Sequence, residues 1–228
     1  MKFWVMPYGY MVRGDSGLQY LTDLNDKSVV DKQSANLTLS IANKLMLEGA
    51  GLSEKDYRSI TVGGLPQGIT AVTDGLADAA PIALGQGNVR KAHATTPGGI
   101  RFLDMSNIEN IQEFYANQKK GFNTYIVKDD DQLPGADKGL VTGSVDIYLI
   151  ASSHLSDDVA ENIISTIEDN WEMLESQFAA LKRGSPSMFV DINNTIPYHQ
   201  GAINYYKKKN RWNPDQEKRN QLLLSGDN

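Results

Sequence analysis

Apolar and polar positions alternate along the chain in two forms: short apolar runs, and longer stretches with an apolar residue every three or four positions. Residues 3–12 carry apolar and aromatic side chains at the density of a strand. Ser16, with Gln19 three positions on, reads as a capping box for a short helix over 18–24. A short strand follows at 28–30. The polar stretch 31–36 leads into an amphipathic helix with Leu37, Ile41, Leu45 and Met46 on one face, stopped by Gly49 and Gly51. The alternation repeats with a strand at 59–62, a turn at Gly63-Gly64-Leu65-Pro66, and a helix over 67–76 that Pro66 is placed to open. The nearly continuous apolar run 79–84 has the mark of a buried parallel strand. A helix over 88–94 and a strand over 100–103 complete the series. Strand–helix alternation at this spacing predicts an α/β fold, a parallel sheet covered by helices.

Further on the pattern loosens. A helix over 107–115 precedes strands at 124–127 and 143–151, with the acidic loop Asp129-Asp130-Asp131 between them read as solvated. Ser156 is placed to cap one long helix running to Leu181, with Val159, Ile163, Ile167, Trp171 and Leu174 spaced for one face. A turn rich in Pro, Gly and Ser follows at 184–187, and the basic tail from Tyr205 reads as a terminal helix with a frayed end.

Composition narrows the function classes. With 22 basic and 28 acidic residues the net charge is −6, the wrong sign for a nucleic-acid footprint. There is no cysteine, hence no disulfide framework and no thiolate metal site. No apolar run approaches the roughly 20 residues of a membrane span. The opening Met1-Lys2-Phe3-Trp4-Val5-Met6-Pro7 does not read as a signal peptide, because Pro7 interrupts a short apolar core.

The chemistry-bearing residues are mostly amides and hydroxyls. His93, His154 and His199 lie far apart and read as surface or capping histidines, so no metal site is expected. Gly85-Gln86-Gly87-Asn88-Val89-Arg90 lacks the third glycine of a dinucleotide fingerprint, and no Walker loop or nucleophile elbow is present, so no cofactor is expected. Three strand-to-helix junctions stand out: Gln33-Ser34-Ala35-Asn36, Leu65-Pro66-Gln67-Gly68 and Gly85-Gln86-Gly87-Asn88. At the carboxyl ends of parallel strands such junctions are where ligands bind, and helix N-termini there suit a carboxylate or phosphate. Ser and Asn are also the favoured cap residues everywhere, so plain capping predicts the same letters.

Four segments, in order, resemble the TAXI family of TRAP-transporter solute receptors. They are Val12-Arg13-Gly14-Asp15-Ser16-Gly17 with Leu21-Thr22-Asp23-Leu24; Ala71-Val72-Thr73-Asp74-Gly75-Leu76-Ala77-Asp78-Ala79-Ala80; Leu155-Ser156-Asp157-Asp158-Val159; and Ile196-Pro197-Tyr198-His199-Gln200-Gly201-Ala202-Ile203-Asn204-Tyr205-Tyr206-Lys207. The last is the most specific. Asp26 stands where the family's first element has glycine.

The resemblance implies a type II periplasmic binding-protein-like fold of two lobes, the first incomplete. Residues 1–27 would form a hinge strand and short helix leading out of lobe 1, 28–120 lobe 2, and 121–228 the return crossover and C-terminal helices packing on the remnant of lobe 1. The family's Gly-rich opening segment, on the order of 60–90 residues for two βαβ-type units, has no counterpart here. The resemblance further implies a periplasmic or extracytoplasmic receptor that captures a small organic anion, an amino acid or a carboxylate, between two lobes and delivers it to TRAP membrane subunits, without enzymatic activity. Ser34, Asn36 or Thr38 would hold the carboxylate, and Gln67, Gln86 and Asn88 would add amides. The register of the first turn stays open between Ser34-Ala35-Asn36 and Asn36-Leu37-Thr38. Exposed sheet edge on an incomplete lobe would favour self-association. Two other readings compete: a truncated or degenerate relative without transport activity, and an enzyme on the same fold.

Overall fold

The computed structural model describes residues 1–118, 121–129 and 131–226. The chain forms two compact units, Pro7–Val145 and Met1–Met6 with Asp146–Asn228. Two strands cross the division, β1 (Lys2–Arg13) and β7 (Val141–Tyr148).

The larger unit alternates as the sequence predicts. After β1 come β2 (Ser28–Gln33), α1 (Leu37–Gly49), β3 (Arg58–Val62), α2 (Leu65–Thr73), β4 (Ala79–Ala83), α3 (Gly87–Thr95), β5 (Ile100–Phe102), α4 (Ile111–Gln118) and β6 (Phe122–Ile126), and then β7. The sheet order is β3-β2-β4-β1-β7-β6, with β5 also on β1. β2 runs parallel to β3 and β4, while β1 lies antiparallel to β4 and β5, matching Tyr8 with Ala83 and Met11 with Phe102. The sheet is therefore mixed. The parallel strands β2, β3 and β4 with β1 antiparallel beside them are the arrangement of the type II binding-protein-like fold.

Crossover handedness places the helices. β2 to β3 and β3 to β4 step in opposite directions, so right-handed connections put α1 on one face and α2 on the other. Accordingly α2 packs on α3, and α1 on α4. The α2–α3 face is apolar, with Met11, Val30, Val72, Ile82, Val89 and Phe102 at its centre. Each such side chain contributes about 1.5–3 kcal/mol when fully buried.

The α1 face departs from the sequence reading. Leu37 and Ile41 are 76% and 48% exposed, while Ala42, Asn43, Leu45, Met46 and Leu47 are buried. α1 is rotated so that Asn43 faces inward, where its Oδ1 accepts from the Tyr8 hydroxyl at 2.8 Å and its Nδ2 donates to the Asp31 carbonyl at 3.0 Å. The predicted helix over 18–24 is reduced to a 3-10 turn at Leu21–Leu24. Asp23, not Ser16, anchors it by accepting from the Gln19 and Tyr20 amides. In the acidic loop Asp130 lies outside the described residues. Asp131 is a clasp: its carboxylate accepts from the Tyr125 hydroxyl and the Lys128 amide.

The smaller unit packs α5 (Asp157–Asp169), α6 (Trp171–Gln177), α7 (Gln200–Lys208) and α8 (Pro214–Ser225) around Trp171, Phe189, Tyr198 and Tyr206. The single long helix predicted over 156–181 breaks at Asn170, and a 3-10 segment occupies Ala179–Arg183. Val159 and Ile163 point outward, and burial falls on Ala160 and Ile164, one position along. α5 and α7 pack closely across Gly201. His199 caps α7, accepting from the Gly201 amide on Nδ1, with Nε2 on the Leu155 carbonyl.

The division between units falls at 6/7 and 145/146. Hydrogen bonding is the reason. The β1 residues from Tyr8 to Arg13 pair with β4 and β5, and β6 pairs with β7. Both ends of the larger unit are therefore strands of its own sheet.

Candidate functional site

The site begins where three strands end. β2, β3 and β4 leave the same edge of the sheet and turn into α1, α2 and α3. Because α1 goes to one face and α3 to the other, the ends of β2 and β4 form a topological switch point, the place where open α/β sheets bind ligands.

The first turn is held from two sides. Ser34 and Ala35 donate backbone N–H bonds to the Val62 and Gly63 carbonyls, at 3.0 and 3.1 Å, which ties it to the second turn. Asn36 is the N-cap of α1, its Oδ1 accepting from the Leu39 amide at 3.0 Å. Ser40 Oγ accepts from the Gln33 amide at 2.9 Å and closes the turn from below. Thr38 sits in the exposed first turn of α1. The Ser34 hydroxyl is hydrogen-bonded to the Val62 carbonyl.

The second and third turns are built differently. Gln67 folds back over Gly63 and Gly64, and lines a 410 Å³ hollow beside Ile60, Val62 and Leu76. Gln86 precedes α3 with no side-chain cap, after Gly85 at φ +84. Asn88 lines a separate 250 Å³ groove with Thr70, Thr73 and Lys91. Pro66 and Thr70 border both hollows, so α2 stands between them. Asn36 lines neither. The turns thus share an edge of the sheet, but the side chains of Asn36, Gln67 and Asn88 are not gathered into one hollow. What the turns present in common is backbone amide at helix starts.

Two features of the edge go beyond the residues expected to meet the ligand. Gln33, the last residue of β2, is 2% exposed, its Nε2 on the Tyr8 oxygen and its Oε1 buried without a hydrogen-bond partner. Burial pushes the Tyr8 phenol well above its ordinary range, which keeps it a neutral donor. The segment between β6 and β7 also reaches the third turn: Leu133 packs against Gly85, and the Arg90 guanidinium donates to the Gln132 carbonyl at 3.4 Å. A polar residue closing an otherwise buried strand was the available signal for Gln33. The long-range contact had none.

The Asn36 cap gives a direct test of the first turn. Asn36→Ala should cost about 1 kcal/mol and lower hydrogen-exchange protection at the Leu39 amide. Unchanged exchange there would mean that the cap does not hold the turn.

Among the described residues no cluster of three metal-ligating side chains occurs, and no helix is long and apolar enough to cross a membrane.

Several solved structures are similar at low identity. The amino acid ABC transporter substrate-binding protein AbpA from Streptococcus pneumoniae, bound to L-arginine, is 12% identical with a TM-score of 0.42, over 80% of this chain and 58% of that one. The periplasmic aliphatic sulphonate-binding protein SsuA from Escherichia coli is 13% identical with a TM-score of 0.42, over 99% and 64%. The alkanesulfonate-binding SsuA from Xanthomonas axonopodis pv. citri, bound to MOPS, is 16% identical with a TM-score of 0.42, over 95% and 56%. The chain spans less than two thirds of the length of each. No curated protein matches. The model of the NMT1-like family matches residues 1–209, both strand crossings and the Pro197–His199–Gly201 stretch included, and the chain belongs to that family.

Proposed function

We propose that the protein is a solute-binding receptor of the TAXI type. On this reading it works outside the cytoplasm, captures a small organic anion and hands it to the membrane subunits of a TRAP transporter. The observation that carries the reading is the switch point. Three helix starts open from neighbouring strands at one sheet edge, the first two tied together by the Ser34–Val62 and Ala35–Gly63 bonds. Membership of the NMT1-like family and the resemblance of the closing Pro-x-His-x-Gly-Ala motif support it. The anion would be met first by backbone amides of the three turns, with Ser34, Asn36, Thr38, Gln67, Gln86 and Asn88 as the polar surround. No metal or cofactor enters the reading, and no residue is assigned a catalytic role.

Magnitudes bound the affinity. A micromolar receptor needs about 8 kcal/mol. Bonds to a charged group give about 1.5–3 kcal/mol each, and a helix dipole adds about 0.3–1. Three or four such contacts reach that figure only before an association entropy of roughly 4–15 kcal/mol is subtracted. These turns alone should therefore hold an anion with a Kd of about 1 mM or weaker. A backbone-amide NMR titration with small carboxylates tests this, with shifts expected to cluster at 33–38, 63–67 and 85–88. Shifts confined to other segments would remove the site. Micromolar binding measured by calorimetry on this chain would show the contact count to be too small.

A further inference from the structure

The smaller unit holds an 870 Å³ groove lined by the end of β7, one face of α5 and the turn that leads into α7. Its walls are mostly apolar. Ile150 and Leu224 are 73% and 66% exposed there, and Leu149, Ile163 and Ile196 are exposed beside them. Five such side chains on one groove form a patch on the order of 300–600 Å², the size at which a surface marks an interaction site.

An open strand edge borders this groove. Leu149 and Met1 exchange both backbone bonds, at 2.9 and 3.0 Å, the mark of an antiparallel pair, so the Leu149 backbone faces β1. Backbone groups alternate in direction along such a strand, and those of Tyr148 and Ile150 face the other edge of β7. β6 pairs with that edge only as far as Val145. Beyond Val145, no strand among the described residues pairs with β7 on that side. Unpaired N–H and C=O groups beside an apolar wall are a template for an added strand. An aliphatic molecule would fill the groove and leave them unmet.

Charge and symmetry select the mate. The chain carries a net charge of −6, so its copies repel each other except through a face with little charge. The described lining of the groove has no Lys, Arg or Glu and a single carboxylate, Asp157, whose Oδ1 lies 3.7 Å from His199 Nδ1. A strand edge laid antiparallel on its own copy about a two-fold axis is self-complementary. The patch covered on both copies amounts to roughly 600–1,200 Å², and its polar rim brings the total to the about 1,200 Å² at which specific interfaces begin. We propose that this groove is the interface of a symmetric dimer. β7 of one copy pairs antiparallel with β7 of the second, Tyr148 against Ile150, and the two apolar walls close on each other. The dimer goes beyond the receptor reading and stands or falls without it.

The test is sedimentation equilibrium of the full chain, with amide exchange followed residue by residue. The mass should rise with concentration toward twice the 25.1 kDa of one chain, with a Kd of about 10 µM, the weak end for an interface of this size. At about 100 µM, exchange at the Tyr148 and Ile150 amides should be about five-fold slower than in dilute chain, while Leu149, already bonded to Met1, stays unchanged. Ile150→Lys puts a charge into the closed interface and should weaken association at least about ten-fold. Leu76→Lys, 68% exposed in the larger unit, should leave it unchanged. Both side chains are exposed, so neither change should unfold the chain. A chain still monomeric at about 100 µM would overturn the proposal. So would a dimer that Ile150→Lys leaves intact, or one that forms without slowing Tyr148 and Ile150. A monomer whose Ile150 and Leu224 resonances shift on adding 1-octanol would also overturn it, and give the groove to an aliphatic ligand.

Discussion

Gly201→Ala should destabilise the smaller unit by about 3 kcal/mol, a large effect for one added methyl group. A Cβ at this position would lie 2.3 Å from the Asp157 carbonyl oxygen and 2.9 Å from the Ala160 Cβ. Neither neighbour is the loose end of a side chain, so α7 must move away from α5. Alanine is the better helix former by about 1 kcal/mol, which acts in the opposite direction. Any net loss therefore understates the clash. The three tryptophans, Trp4, Trp171 and Trp212, all lie in the smaller unit, so their fluorescence in a urea titration reads this unit alone. Gly87→Ala is the contrast: nothing lies within 4 Å of a Cβ there, and its effect should be neutral or slightly stabilising. An unchanged tryptophan midpoint in Gly201→Ala would mean that the helices do not meet as closely as drawn.

That glycine also shows what the sequence carried. The Pro-x-His-x-Gly-Ala stretch was the most specific resemblance, and the structure gives three of its letters a task. His199 caps α7, Gly201 admits the α5 backbone, and Ala202 is buried beside it. The strands were legible because period-two alternation and continuous apolar runs are local properties. Helix faces were less so. Of the apolar stripe read on α1, Leu45 and Met46 are buried, but Leu37 and Ile41 are exposed and Asn43 faces inward to Tyr8 instead. A tertiary hydrogen bond between residues 35 positions apart leaves no trace in local periodicity. The break at Asn170 is of the same kind, since Trp171 is seated in the core by Phe3 and Phe189.

The candidate site was legible as a place and not as a set of side chains. Strand-to-helix junctions can be found from alternation alone, and all three sit at one edge of the sheet. Which way a Gln or Asn points depends on what its neighbours offer. Gln67 turns onto its own Gly63-Gly64 backbone, because two glycines leave room there, and Asn88 falls into the α2–α3 groove. The sequence places Gln33 in the first junction, past a strand read as ending at Val30, whereas β2 runs on to Gln33. Only pairing across three strands shows that it lies at the centre of the edge.

Lys2→Met should cost the smaller unit about 3 kcal/mol at neutral pH, with most of that loss disappearing in acid. Lys2 Nζ sits between two carboxylates, 3.0 Å from Asp146 and 2.9 Å from Asp191. Their side chains are 4% and 20% exposed. Burial works against the charge on Lys2, but the bonds it donates to Asp191 and Asp146 outweigh it and hold its pKa up. Asp146 is the more deeply buried partner. There burial prevails over the Lys2 bond, and its carboxyl titrates above the usual range. A raised carboxylate is unfavourable to folding only when ionised: the penalty is absent below the unfolded pKa of about 3.9 and grows as pH rises through the folded value. Removing Lys2 leaves that penalty uncompensated and sets two like charges together. The tryptophan-detected urea midpoint of Lys2→Met should therefore lie far below the native one at pH 7, and close to it at about pH 4. Lys2→Met/Asp146→Asn should recover most of the difference at pH 7, since the uncompensated charge is gone while Asp191 keeps access to water. A loss equal at both pH values would mean that Lys2 acts through packing of its aliphatic stem, and that the clasp contributes no charge-based stability.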